Sequence, residues 1–274
     1  MPVRPTSKPS QPPAPESEEP TGRVQAIDRA FIILRELAKH PQGQSALELA
    51  RNTGIDRTTT HRLLRTLMHW GMAAGESGVY FVGAECALLA TGHLNRANVR
   101  RIALPYAVEL QEKVLRNYAA VLSISVPARD EVVIIERIWT PATPINVITD
   151  IGDHFPIDLS ASGRSILSTF SPEACIERIG TSRYEAVKSQ LARSRKLKGF
   201  SVGHNTFKPG LSSLAYPIYG SGGIACAAMV IAGLDLTAHT KPNSELAQHL
   251  QRVCQNVSAS LSNTSAASRA VSRH

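Results

Sequence analysis

Between Ser45 and Trp70 the chain leaves little choice of fold. Ser45-Ala-Leu-Glu-Leu-Ala-Arg-Asn52 opens with a serine followed three residues on by Glu48, the reciprocal capping pattern of a helix start. Thr53-Gly54-Ile55 comes next. Gly54 suits the positive φ that ends a helix, and Ile55 drops an apolar anchor before the chain turns. Asp56 is placed to cap a second helix by accepting from its free N–H groups. Two short helices joined by a glycine turn form the unit that presents its second helix to DNA. Upstream, Ile27, Ala30, Phe31, Leu34 and Leu37 recur at helical spacing and are expected to form the third wall of a small core. Downstream, residues 71–83 read as a β-hairpin with its tip at Glu76-Ser77-Gly78, which makes a wing.

The second helix has two unlike faces. At roughly 100° per residue, Arg57, Thr58, His61, Arg62, Arg65 and His69 share an arc of roughly 140°. Leu63, Leu67 and Trp70 fall opposite, with Leu64 on the flank and Met68 at the edge of the polar arc. A ridge of guanidinium, hydroxyl and imidazole suits a major groove, whose acceptors arginine grips in bidentate fashion. A cationic helix face alone is more often a solvated surface; the turn before it and the wing after it are what point to DNA. The expected DNA-contacting set is Arg57, Thr58, Thr59, His61, Arg62 and Arg65. The first turns reach bases and flanking phosphates, and Arg65 chiefly phosphate.

With 274 residues, two domains are the natural expectation, and a net charge of +8 is consistent with a polyanionic partner. Aromatic residues are only 5% of the chain, which argues against a stacking platform for single strands. Cys86, Cys175, Cys226 and Cys254 are scattered without C-x-x-C spacing, so neither a metal site, a cofactor nor a disulfide framework is expected. The Pro-, Ser- and Glu-rich start has no apolar core segment and reads as a disordered tail over 1–21, not as a secretory signal. Ile224 to Ala232, the most apolar stretch, is too short to span a bilayer. A cytoplasmic protein without membrane contact is expected. The Ser/Ala-rich end, 263–274, is expected to fray.

Residues 22–83 are thus assigned to a winged helix-turn-helix domain, 84–101 to a linker helix and 102–262 to a second domain. Pro105 marks either a break or a first-turn position between two helical segments, the first ending near Val99. Beyond it, Tyr118–Val126 and Glu131–Ile138 read as strands around the turn Pro127–Asp130, and Ile145–Thr149 as a third. Three helices follow, around Arg164–Phe170, from Ser171 and near Tyr184–Lys196. Strands Ser213–Tyr219 and Ile224–Ala232 and a final helix from Pro242 to Leu261 complete the chain. Strands in hairpins with helices grouped around them make an α+β domain, not a doubly wound sheet. Trp139 is read as core filler or a lid over a ligand, with core favoured.

Several short runs together resemble the IclR family of bacterial transcriptional regulators, from Gly22 to Leu261. They are Val24-Gln-Ala-Ile-Asp-Arg-Ala30, Glu48-Leu-Ala50 with Thr53-Gly54, Thr60-His-Arg-Leu-Leu64 and Tyr80-Phe-Val-Gly83. In the second half they are Ile151-Gly-Asp153 with Pro156, Leu159-Ser-Ala-Ser-Gly-Arg164 and Ala215-Tyr-Pro-Ile218. The resemblance implies a winged-helix domain, a linker helix and a GAF-like C-terminal antiparallel-sheet domain that binds a small organic effector, often a carboxylate or aromatic acid. It also implies a homodimer or homotetramer on a pseudo-palindromic operator of double-stranded DNA. The implied effector site comprises Gly152, Asp153, Ser160, Ala161, Ser162, Gly163, Ser212 and Ser213.

The residues offer their own reason for that site: a small, hydroxyl-rich run directly precedes an apolar helix, whose free N–H groups and dipole favour an anion. The plain alternative is that Ser160 only caps the helix and Gly163 only allows close packing. Ser213 stands where many members have a cysteine, and Asn205-Thr206-Phe207 where an acidic pair is common, which suggests an altered ligand preference. Two other function classes compete. One is a DNA-binding protein that answers to no ligand. The other is an enzyme using Asp153, His154, Asp158 and Ser162, against which stands the absence of G-x-S-x-G, H-E-x-x-H and P-loop patterns.

Overall fold

In the computed structural model, the ends of the N-terminal helices fall where capping chemistry puts them. Described are residues 22–139, 142–144, 149–220, 222–234 and 236–271, the side chains of 93–97 and 265–271 excepted. They divide into two units, split between Thr91 and Gly92.

The first unit opens with α1 (Gln25–Ala38), the short strand β1 (Gln44–Ser45), α2 (Ala46–Thr53) and α3 (Arg57–His69). Ser45 and Glu48 form the reciprocal capping box of α2, Gly54 ends that helix at φ +70, and Asp56 Oδ1 accepts from the Thr59 N–H at 2.9 Å to start α3. The wing is β2 (Ala73–Glu76) and β3 (Val79–Val82), with β1 added to β3 as a third strand. Ser77 and Gly78 both take positive φ at its tip, the backbone demanded by a two-residue hairpin turn.

The core of this unit is Ile33, Leu37, Leu49, Ile55, Leu64 and Leu67 with two alanines. Two expectations change. On α1 the buried face is Ile33 and Leu37, whereas Ile27 is 54% and Phe31 59% exposed; this helix has a second apolar face that its own core does not cover. On α3 the seam is Thr60, Leu64 and Leu67, with Leu63 at its edge, and Trp70 is 69% exposed. Thr60 is tolerated inside because its hydroxyl donates to the Ile55 carbonyl at 3.3 Å.

Helix α4 (Glu85–Ala97) leads to α5 (Val99–Leu110). The break between them lies at Asn98, φ +48, and Pro105 sits inside α5. A π-helical turn, Gln111–Leu115, follows. The second unit then builds β4 (Ala120–Ala128), β5 (Glu131–Trp139), β6 (His154–Pro156), α6 (Ala161–Leu167), α7 (Pro172–Ile179), α8 (Thr181–Lys196), β7 (Ser201–His204), β8 (Leu211–Tyr219), β9 (Ala225–Leu234) and α9 (Glu245–Val271). The strands form one antiparallel sheet in the order β6-β5-β4-β9-β8-β7. Alternation divides its side chains. Leu122, Ile124, Leu214, Tyr216, Met229 and Ile231 meet α5 and α9 on one face, while α6, α7 and α8 cover the other through Ile166, Leu167, Cys175 and Leu191.

The strand expected at Ile145–Thr149 lies mostly outside the described residues, as does the tail over 1–21. Strand β7 was not anticipated. Trp139, at the end of β5, is exposed, not core. Helix α9 continues past Leu261 to Val271, through the Ser/Ala-rich end that the sequence leads one to expect to fray.

Candidate nucleic-acid interface and effector pocket

The DNA-facing candidates stand on a helix fixed at both ends. Arg57, Thr58, His61, Arg62 and Arg65 are all exposed, as the arc required, and Thr59 is half-buried with its N–H on the Asp56 cap. Hydrogen bonds from the Thr59 hydroxyl and then its backbone N–H hold the Asp56 carboxyl below the usual carboxylate range, so the cap carries charge. Among the described residues, Arg57, Arg62 and Arg65 form no ion pair, leaving three guanidiniums available to phosphate or base edges.

Reading by sequence missed a groove beside this face. It has a volume of about 850 Å³ and is walled by Ile27, Phe31 and Leu34 of α1 and by Leu63 and Leu67 of α3, with Arg29 and Arg62 among its polar residues. Leu88 and Leu89 on α4 are 65% and 62% exposed. The available signal was the apolar residues on more than one side of α1.

In the second unit, Ser160 Oγ accepts from the Gly163 N–H at 3.0 Å and lies 3.5 Å from Ser162 Oγ. A Cβ at Gly163 would collide with the Ile157 carbonyl. Residues 160–163 are all buried. Ser160 is therefore occupied as a cap and Gly163 as a packing glycine.

Ala161 packs with Ala215 and Val230 on the α6 side of the sheet, and Ser213 reaches the same side. A Cβ added at Gly203 would lie 2.7 Å from Ser213 Oγ and 3.9 Å from the Ala161 methyl. Ser212 points to the opposite face, its hydroxyl 3.1 Å from His204 Nδ1 and 3.0 Å from Thr237 Oγ1. The two serines cannot serve one pocket, because neighbours on a strand face opposite ways.

Gly152 turns at φ +96 and donates to the Ile134 carbonyl at 2.8 Å, pinning its loop to β5. Next to it, Asp153 lines a cavity of about 280 Å³ together with Thr149, His154, Phe155, Phe207 and Leu211. Phe155 belongs to β6, at one end of the strand order, and Phe207 follows β7, at the other. Their ring centroids are 4.7 Å apart. The sheet is curled until its two ends meet at this aromatic contact. Beneath it, the buried Arg164 guanidinium ties α6 to β7 by donating to the carbonyls of Leu159 and Val202, both at 2.6 Å. Burial lowers its pKa. Of the expected effector residues, Asp153 alone lines the cavity. Ala161 and Ser213 share the α6 side of the sheet, and Ser212 lies across it.

Residues 26–76 match the IclR helix-turn-helix domain, and residues 91–259 match the family described as bacterial transcriptional regulator IclR C-terminal. The chain belongs to the IclR family. As a member it is a DNA-binding transcriptional regulator with an α+β C-terminal domain. It is 27% identical to the acetate operon repressor of Salmonella typhimurium, over 81% of this chain and 84% of that protein. Its fold is similar to that of an IclR transcriptional regulator from Alicyclobacillus acidocaldarius (TM-score 0.70, 20% identity, covering 88% of this chain and 98% of that one). It is likewise similar to an IclR homologue from Microbacterium hydrocarbonoxydans complexed with 4-hydroxybenzoate (TM-score 0.69, 20% identity, covering 86% and 99%). Among the described residues of this IclR-family chain, no helix is long and apolar enough to cross a membrane.

Proposed function

We propose that this regulator binds a pseudo-palindromic operator through α3 of two copies and that a small organic acid, with a planar ring preferred, controls that binding. The observation that carries the DNA half is the exposed, unpaired face of Arg57, His61, Arg62 and Arg65 on a doubly capped helix. Thr58 and Thr59 complete the contact set, and a two-fold pair of such helices calls for an operator with matching half-sites.

The effector half rests on the cavity at the curled end of the sheet. Phe155 and Phe207 offer ring faces, His154 an imidazole, and Thr149 a buried hydroxyl that lacks a partner among the described residues. A related regulator in complex with 4-hydroxybenzoate supports this ligand class. Asp153, Ala161 and Ser213 are the expected contacts or near neighbours; Gly152, Ser160, Ser162 and Gly163 shape the site without offering free groups. For self-association, the exposed Ile27 and Phe31 on the α1 side of the groove and Leu88 and Leu89 of α4 supply an apolar surface on one small domain, the α3 side with Arg62 and Arg65 being left to DNA. We assign it to contact with a second copy.

The test is to footprint the purified protein on DNA upstream of its own and adjacent genes, with and without a panel containing 4-hydroxybenzoate and aliphatic acids. Protection of a pseudo-palindrome that is lost in Arg62→Ala, with affinity shifted roughly 5–150-fold by one acid, is the expected result. Operator binding that no acid alters would instead favour a regulator that answers to no ligand.

A further inference from the structure

One wall of the C-terminal domain is strongly cationic. Arg193, Arg195 and Lys196 fill the last turn of α8, Lys198 follows at φ +56, and all four are exposed. Arg195 donates from Nε to the Ser168 carbonyl at 3.0 Å and from Nη2 to the Phe170 carbonyl at 2.7 Å. Both acceptors are neutral, so this guanidinium is held in place with its charge uncancelled. Arg178 of α7 stands over the Phe170 ring, 5.1 Å from its centroid, and its Nη1 donates to the Arg129 carbonyl at 3.1 Å. Arg129 is exposed at the turn between β4 and β5, and with Arg178 and Phe170 it lines a cleft of about 570 Å³. Arg178 and Arg195 both act on the buried Cys175 thiol, opposing the rise that burial causes, so guanidiniums from two helices share one neighbourhood.

Of the nearby acids, Asp130 accepts from Arg183 at 2.8 Å and Glu185 pairs with Lys188, while Glu173 and Glu177 of α7 are exposed without an ion pair among the described residues, Glu177 facing the cleft; the cations outnumber them. Among the described residues, none of the six cations Arg129, Arg178, Arg193, Arg195, Lys196 and Lys198 forms an ion pair. Cations at a helix C-terminus stabilise the helix against its dipole, which accounts for the end of α8. It does not account for Arg129 on a hairpin turn or Arg178 on a different helix.

The occupant follows from what the wall lacks. Among the described residues between 170 and 200, no large apolar side chain is exposed, so this stretch presents charge without the apolar core of a protein interface. Guanidinium and ammonium groups without such a core match a phosphate backbone, and membership of the family already places this chain on duplex DNA. We infer that this wall is a second contact of the protein with DNA phosphate. It adds affinity without adding sequence preference.

The test needs no knowledge of the operator. Full-length protein is titrated against a mixed-sequence duplex of about five helical turns across a salt series. Three triple variants are compared: Arg193→Gln/Lys196→Gln/Lys198→Gln on the wall, Arg116→Gln/Lys241→Gln/Arg252→Gln elsewhere on the same domain, and Arg193→Lys/Lys196→Arg/Lys198→Arg, which keeps the charge. Each lost phosphate contact lowers the slope of log K against log salt by about 0.9. The wall variant is expected to lower it by about 2.7, the distant variant to leave it unchanged and the charge-keeping variant to retain it. The loss should add to that of Arg62→Ala/Arg65→Ala, which separates this wall from α3. An unchanged slope in the wall variant overturns the proposal and leaves an acidic protein as the occupant. Equal falls in the wall and distant variants overturn it too, since net charge alone would then explain the effect.

Discussion

Gly163 illustrates how a single position can carry a packing role beside the ligand role expected of it. Its place at the start of α6 was legible from the small-residue run, but the neighbour that forbids a side chain there, the Ile157 carbonyl, is brought in by the preceding loop and leaves no trace in local spacing. Gly163→Ala is expected to destabilise the C-terminal domain by roughly 1–3 kcal/mol, the range for overpacking, and to lower the urea midpoint of unfolding. A midpoint equal to wild type would return Gly163 to the ligand site. Ser212 and Ser213 teach a related lesson: both are expected at the effector site, whereas strand alternation sends one to His204 and the other toward Ala161.

At the scale of elements, caps carried most of what was readable. Ser45, Gly54, Asp56, Ser160 and Ser171 all stand at helix ends in the structure, because each satisfies backbone groups by purely local chemistry. For Asp56→Ala, the first turn of α3 should fray, exchanging the Thr59 and Thr60 amides severalfold faster and weakening operator binding more than it lowers Tm. The Asp56 pKa is depressed in the folded state. Its stabilising effect is therefore present above the ordinary carboxylate pKa and lost as pH falls through the depressed value. The difference between wild type and Asp56→Ala should accordingly shrink on acidification; a gap that persists would show the carboxylate is not the cap. Elements without caps or period were harder. Strand β7 is four residues long with Gly203 inside it, too short for alternation to register. Helix α1 misled because two of its faces are apolar and only one meets its own core.

At the scale of the whole molecule, that second face of α1 is the next thing to break. Phe31→Asp places a charge at the mouth of the groove between α1 and α3 without touching Ile33 or Leu37. Sedimentation should then report a smaller species, and operator affinity should fall by roughly 10²-fold as two linked half-site contacts become one. Unchanged mass would remove this face from the interface. The two-unit α+β architecture itself was legible, since it follows from the order of helical and strand periods. The curl of the sheet was not, because it depends on Phe155 and Phe207 meeting from opposite ends of the strand order.

That meeting also bears on how the domain avoids association with itself. An open sheet exposes unpaired N–H and C=O groups at both margins, a template on which another chain can build. Here the marginal strands are only three and four residues long, the tethered Val202 carbonyl on one of them is already taken by Arg164, and the two margins meet through two tilted rings in contact. Little ladder is left for an incoming strand to extend. Edge-to-edge addition is thereby disfavoured.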